Sequence, residues 1–286
     1  MSKVMVVTDS TSNIPPELLD GQPIQVLPLQ LIWGSEILRD GVDISPVEFY
    51  TRLKTAKVIP TTSQTTPEEF HQLYAKLIKE GYDILSIHIS AKLSGTLDSA
   101  IQAKRKFPKA KIELVDSYST SMAMGFQVLA AARVAQAGGS LLDCKTMAEK
   151  AREQTGVYFV LNTLEFLQRG GRIGGAAAFL GTILDLKPLL ELRDGQIEAV
   201  ERVRTLSKTL DRLIDLVGIK LEKEPGLVRL CAIHGNSFDE ANLLLKKAIN
   251  RFSSSTISES VITDISPVLG THTGPGALGL AYMIGM

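Results

Sequence analysis

Three groups of hydroxyl and imidazole side chains could do chemistry in this 286-residue chain. Pro60-Thr61-Thr62-Ser63-Gln64 is its densest hydroxyl cluster. Ser94-Gly95 follows the apolar run Ile84–Ile89 and precedes a helical pattern. His272 stands between Thr271 and Thr273, ahead of Gly274-Pro275-Gly276. These groups supply hydrogen-bond donors without a lysine, and the chemistry they suit is holding an anion. Ser94-Gly95 is the clearest case. A strand, small residues, serine and glycine, then a helix aim free N–H groups and the positive helix end at one place. The segment lacks the lysine and spacing of a nucleotide-binding P-loop. Ser94 and His272 could also act as nucleophile and base, which would make the protein an acyl hydrolase or acyltransferase working on a lipid ester. Against that reading, no third residue presents itself to orient the histidine, and the G-x-S-x-G elbow is missing.

The bulk properties narrow the field. Hydrophobic residues are 44% of the chain and charged residues 22%, ordinary for a globular protein. Lys plus Arg (31) equals Asp plus Glu (31), which argues against a nucleic-acid binder driven by a basic face. The four histidines and two cysteines show no ligand spacing, so no metal is expected. No acidic cluster is spaced to hold Mg²⁺ on a nucleotide, which weighs against a phosphotransfer enzyme. The N-terminus leads straight into a strand, with no signal peptide and no membrane-spanning run, so a cytoplasmic protein is expected.

The elements that must position the candidate groups follow from periodicity. Val4–Val7 is a short buried strand ending in Thr8-Asp9-Ser10-Thr11-Ser12, whose hydroxyls either cap the next helix or face a ligand. Ile24 to Trp33 alternates as one strand, with Pro28 confining it to an edge or a bulge. Ser45-Pro46-Val47-Glu48 and Thr66-Pro67-Glu68-Glu69 are capping boxes that start helices. Thr61 to Gln64 reads as a loop, His88 as a satisfied core residue, and Ser94 as the N-cap of the helix that ends before Pro108. Strand, hydroxyl-rich loop and helix keep repeating through Gln154. The expected fold is α/β in two domains. Residues 1–155 form a Rossmann-like, doubly wound parallel sheet, and residues 156–286 an α+β domain with a mixed sheet. The second domain carries a hairpin, Leu186–Leu192 and Gln196–Val203, around Asp194-Gly195. Arg169–Gly175 reads as a flexible basic loop. Ile265–Met283 reads as a glycine loop with a polar head and an apolar shoulder.

Six stretches together carry a resemblance. They are Val6-Val7-Thr8-Asp9-Ser10-Thr11, Pro60–Gln64, Leu93-Ser94-Gly95-Thr96, Arg169-Gly170-Gly171-Arg172-Ile173, Val203-Arg204-Thr205 and Gly270–Gly276. In order and spacing the chain resembles the DegV family over nearly its whole length. The resemblance implies a carrier rather than an enzyme. It would hold a long-chain fatty acid between two α/β domains and present the carboxylate to a separate ATP-binding fatty acid kinase subunit. That partner makes the acyl phosphate, a step toward phospholipid synthesis. The resemblance also implies roles. Thr62, Ser94 and His272 would bind the carboxylate, with Gly95 lending a backbone N–H and Thr61 as a further participant. Arg204, and less directly Arg172, would contact the kinase. Lys92-Leu93 and Thr65 stand where relatives often have small residues or proline.

The residues suit such a ligand. A carboxylate leaving water needs several charge-assisted hydrogen bonds, and two hydroxyls, a helix N-terminus and an imidazole supply them. A tail of ~14 methylenes at ~0.8 kcal/mol each gives ~11 kcal/mol before ordering and association costs. Phe159, Ile173, Phe179, Leu180 and Leu278 either line such a tunnel or belong to the ordinary core.

Overall fold

The computed structural model describes residues 3–181, 187–223, 226–252 and 257–286. The chain opens with strand β1 (Lys3–Asp9), helix α1 (Pro16–Leu19), β2 (Ile24–Leu27), β3 (Gln30–Trp33), β4 (Glu36–Arg39), α2 (Pro46–Leu53) and β5 (Thr61–Ser63). It continues through α3 (Pro67–Lys79), β6 (Tyr82–His88), α4 (Thr96–Lys104), β7 (Ile112–Asp116), α5 (Ser121–Gln136) and α6 (Leu141–Gln154). Then come β8 (Thr155–Val160), α7 (Glu165–Arg169), β9 (Lys187–Arg193), β10 (Gln196–Val203), α8 (Leu206–Lys223) and β11 (Val228–His234). The last elements are α9 (Phe238–Arg251), β12 (Ile257–Asp264), α10 (Pro267–Thr273) and β13 (Leu278–Ile284).

A parallel sheet of order β2-β1-β6-β7 is the frame of the first half. Helices α3 and α4 bury Phe70, Tyr74, Leu77 and Ala100 on one of its faces, and α5 and α6 cover the other. Covering both faces of a parallel sheet is what its near-continuous apolar strands require. A mixed sheet of order β10-β9-β8-β13-β11-β12 frames the second half, with β11 and β12 parallel and the other neighbours antiparallel. Its outer face packs against α8 and α9 through residues such as Leu213, Val217, Leu244 and Ala248. Its inner face packs against α5. That helix is buried on every side from Ser121 to Ala132 and shares one core with Val6, Leu85, Val157, Cys231 and Ala281. A helix apolar all round is stable only when covered all round. α5 meets that condition by lying between the two sheets.

The expected hairpin forms around Asp194 and Gly195, both at positive φ (50° and 82°), the backbone a two-residue turn demands. Leu186, where that strand was expected to begin, lies outside the described residues. Three local expectations are corrected. Ile24–Trp33 is two strands, because Pro28 has no N–H to continue a ladder. β2 stays in the parallel sheet, and β3 leaves to join a small antiparallel sheet of order β4-β3-β5. Thr61–Ser63 is a strand of that small sheet rather than a loop, with Thr62 opposite Leu31. Pro267–Thr273 is a helix rather than a glycine loop, and β13, after it, is an interior strand.

Candidate functional site

Helix α10 carries His272 in its last turn, and α10 is held at both ends. At its start Asp40, 2% exposed, accepts the Val268 N–H (3.2 Å) and the Ser10 hydroxyl (2.7 Å). A carboxylate at a helix N-terminus is favourable. Burial opposes it and pushes Asp40 up to about 6. Along its length Gly270 lets the helix lie flat on Phe49 and Tyr50, whose rings a side chain there would overlap. At its end the His272 ring stacks so close to Gly170, just past α7, that a methyl group on Gly170 would overlap Nδ1.

His272 Nε2 lies 2.9 Å from Thr62 Oγ1. Its Nδ1 is buried without a partner among the described residues. Burial first, and the nearby Arg172 guanidinium second, lower the imidazole to about 4, so the ring is neutral near pH 7. Ser94 lies on the approach to α4. Its Oγ is 2.9 Å from Thr96 Oγ1 and accepts the Thr96 N–H at 3.3 Å. The cap position itself is Gly95, one residue later than expected. The first helical bond of α4 runs from Ser99 N–H to Gly95 O (3.1 Å), leaving the earlier N–H groups outside the helix ladder.

Thr62, Ser94, Arg172 and His272 line one cavity of about 290 Å³. Ser63, Gln64, Thr120, Ser121 and Thr273 add polar atoms to it. The rest of the wall is apolar, including Leu29, Ile89, Phe159, Leu167, Ile233 and Leu278. The walls come from the mixed sheet, the small antiparallel sheet, α10 and the loops after β2 and β6, so residues far apart in the chain must fold together to form the site. Of the side chains that sequence left between tunnel wall and core, Phe159 and Leu278 line the cavity and Ile173, Phe179 and Leu180 do not.

The other expected site residues fall elsewhere. Thr61 is exposed and does not line the cavity. Gly95 flanks the cavity and packs against the Gln64 side chain, which donates to Ser99 Oγ (2.8 Å). Arg172, expected on the partner surface, lines the cavity. Its Nε donates to Leu93 O (3.0 Å) and its Nη1 to Gly170 O (2.5 Å), tying the loop before Ser94 to the loop after α7. Arg204 is exposed at the junction of β10 and α8, away from the cavity.

Asp9 and His88 lie apart from the cavity. Asp9 accepts from Thr11 N–H (3.1 Å) and Ile89 N–H (3.0 Å) and faces His88 Nδ1 at 3.0 Å. His88 Nε2 is 2.6 Å from Ser86 Oγ, which the Tyr74 hydroxyl also reaches (2.7 Å). The four side chains are fully buried, which makes them a satisfied core network. In the cavity, His272 bonds Thr62 rather than Ser94, and no carboxylate orients its Nδ1. Among the described residues no three His, Cys, Asp or Glu side chains come together as metal ligands would, and no helix is long and apolar enough to cross a membrane.

Fold and site together define an α/β protein with a largely apolar cavity that gathers Thr62, Ser94, Arg172 and His272. The chain belongs to the DegV family, whose model matches residues 3–284. It is 38% identical over 278 residues to a DegV domain-containing protein of Streptomyces coelicolor, covering 97% of each chain. Among solved structures it is similar to a DegV family protein from Thermus thermophilus described by its fatty acid binding, at 35% identity, TM-score 0.92 and 99% coverage of both chains. It is also similar to DegV, a fatty acid binding protein from Bacillus subtilis, at 32% identity and TM-score 0.88, covering 99% of this chain and 100% of that one.

Proposed function

We propose that this chain is a carrier that binds a long-chain fatty acid in the cavity between the units 1–155 and 156–286. It would then present the carboxylate to a separate ATP-dependent fatty acid kinase subunit. The observation that carries this reading is the meeting of Thr62, Ser94, Arg172 and His272 in one cavity whose remaining wall is mostly apolar. The solved relatives named for fatty acid binding support it.

The neutral imidazole has a positioning role. With Nε2–H donating to Thr62 Oγ1, the threonine hydroxyl proton is free to reach the carboxylate. Ser94 O–H would donate to the same group, with the Gly95 N–H and the positive end of α4 behind it. Arg172 offsets the carboxylate charge as the ligand leaves water. Arg204 belongs to the outer surface, where a kinase subunit can dock. Acyl-phosphate formation is then the partner's reaction, and the carrier supplies ligand geometry alone.

Calorimetric titration of the delipidated protein with a long-chain fatty acid tests the reading. Ser94→Ala should weaken binding tenfold or more, since a hydrogen bond to a charged group contributes about 1.5–3 kcal/mol, and His272→Ala should weaken it by releasing the Thr62 hydroxyl from its orientation. Unchanged affinity in both variants would refute the head-group assignment.

A further inference from the structure

The fatty acid cavity shares a wall with a second chamber. This chamber, of about 480 Å³, wraps the N-terminal end of β8 and carries polar groups such as Gln127, Arg152, Gln154 and Thr155. Val157 and Leu192 line both spaces. The sheet register explains why. Tyr158 pairs with Glu191 and Phe159 with Leu190, so Val157 and Leu192 fall opposite one another one step further along. Ile197, paired with Leu192, extends the same row. Side chains on one face of a strand recur every second residue. Along β8 the cavity face therefore reads Phe159, Val157, Thr155, and Thr155 lines only the second chamber.

The head-group end is fixed by His272, which precedes β13. β13 starts at Leu278, opposite Val160. A chain running inward from His272 passes the Phe159–Gly279 row and then meets Val157. We propose that Val157 and Leu192 close the far end of the cavity and set the longest acyl chain it accepts. This inference rests on the fatty-acid reading above. Beyond the wall, Gln127 and Gln154 each hold a buried amide oxygen with no hydrogen-bond partner among the described residues. Such groups favour water over hydrocarbon. The wall thus separates a space that rewards methylenes from one that does not.

The test offers the delipidated protein an equimolar ladder of saturated fatty acids of increasing length and identifies the bound species by mass spectrometry. Each methylene that gains burial tightens binding about fourfold. Val157→Ala and Leu192→Ala should move the preferred acid to longer chains, and Val157→Phe to shorter ones. Val157→Ile, a one-methylene change, gives the shortening readout should the phenylalanine variant fail to fold. An unchanged ranking of lengths in the folded variants, with or without a uniform loss of affinity, would overturn the proposal while leaving the fatty-acid reading intact. A wild-type protein that bound no acid of the ladder would overturn both.

Discussion

Thr62 Oγ1 and His272 Nε2 meet at 2.9 Å across 210 positions of sequence. The first sits on a strand of the small antiparallel sheet and the second in the last turn of α10. The contact joins the two halves of the chain at the cavity wall. Its strength depends on an imidazole held neutral in a buried site, and that has a consequence for stability.

In the delipidated protein His272 is lowered from its ordinary 6.5 to about 4, by burial first and by Arg172 second. Between those values the unfolded chain binds the proton that the folded chain refuses, so stability falls as pH drops through the window. The contribution lost is up to about 3 kcal/mol. Because Asp40 acts with the opposite sign over part of this window, the slope is read as the difference between wild type and His272→Gln in chemical denaturation from pH 7 to pH 4. An equal slope in the variant would mean that other groups carry the acid sensitivity.

Asp40 has the opposite sign. Burial raises its carboxyl to about 6, against the hydrogen bonds from Ser10 and Val268. The folded chain therefore binds its proton first, and this group adds stability as pH falls from about 6 towards 4. Asp40→Asn keeps an oxygen for the Val268 N–H and removes the buried charge. We expect the variant to unfold at higher temperature than wild type near pH 7.5, with the gap narrowing by pH 5. A gap that widened at low pH would contradict the assignment.

Arg204 is exposed and does not line the cavity. Arg204→Ala should leave fatty acid affinity within about twofold, since surface changes rarely exceed ±0.5 kcal/mol. It should lower acyl-phosphate formation when a fatty acid kinase subunit and ATP are added. Joint loss of binding and phosphorylation would place Arg204 in the fold instead.

The sheets, the capping boxes at Ser45 and Thr66 and the Asp194-Gly195 hairpin were legible because each is written in local chemistry: alternation, caps and turn residues. The meeting of Thr62, Ser94 and His272 on one cavity was legible only through resemblance, since nothing local brings distant strands together. α10 was missed although Ser266-Pro267 repeats the signal that marked Ser45-Pro46. The helix contains Gly270, which lowers intrinsic helicity but fits the Phe49 and Tyr50 rings. That Arg172 also lines the cavity was not legible, because a glycine loop gives no periodicity to aim its side chain. Thr120 and Ser121 went unremarked as cavity residues. Their contacts, to Thr11 O and Asn13 Oδ1, lie more than a hundred residues back in the chain.

The central claim is that the cavity holds a fatty acid, and native mass spectrometry of the purified protein tests it most directly. The account predicts one long-chain fatty acid per chain, released on denaturation and regained when the delipidated protein meets free fatty acid. A protein that carries no acyl chain and takes none up when offered would contradict it.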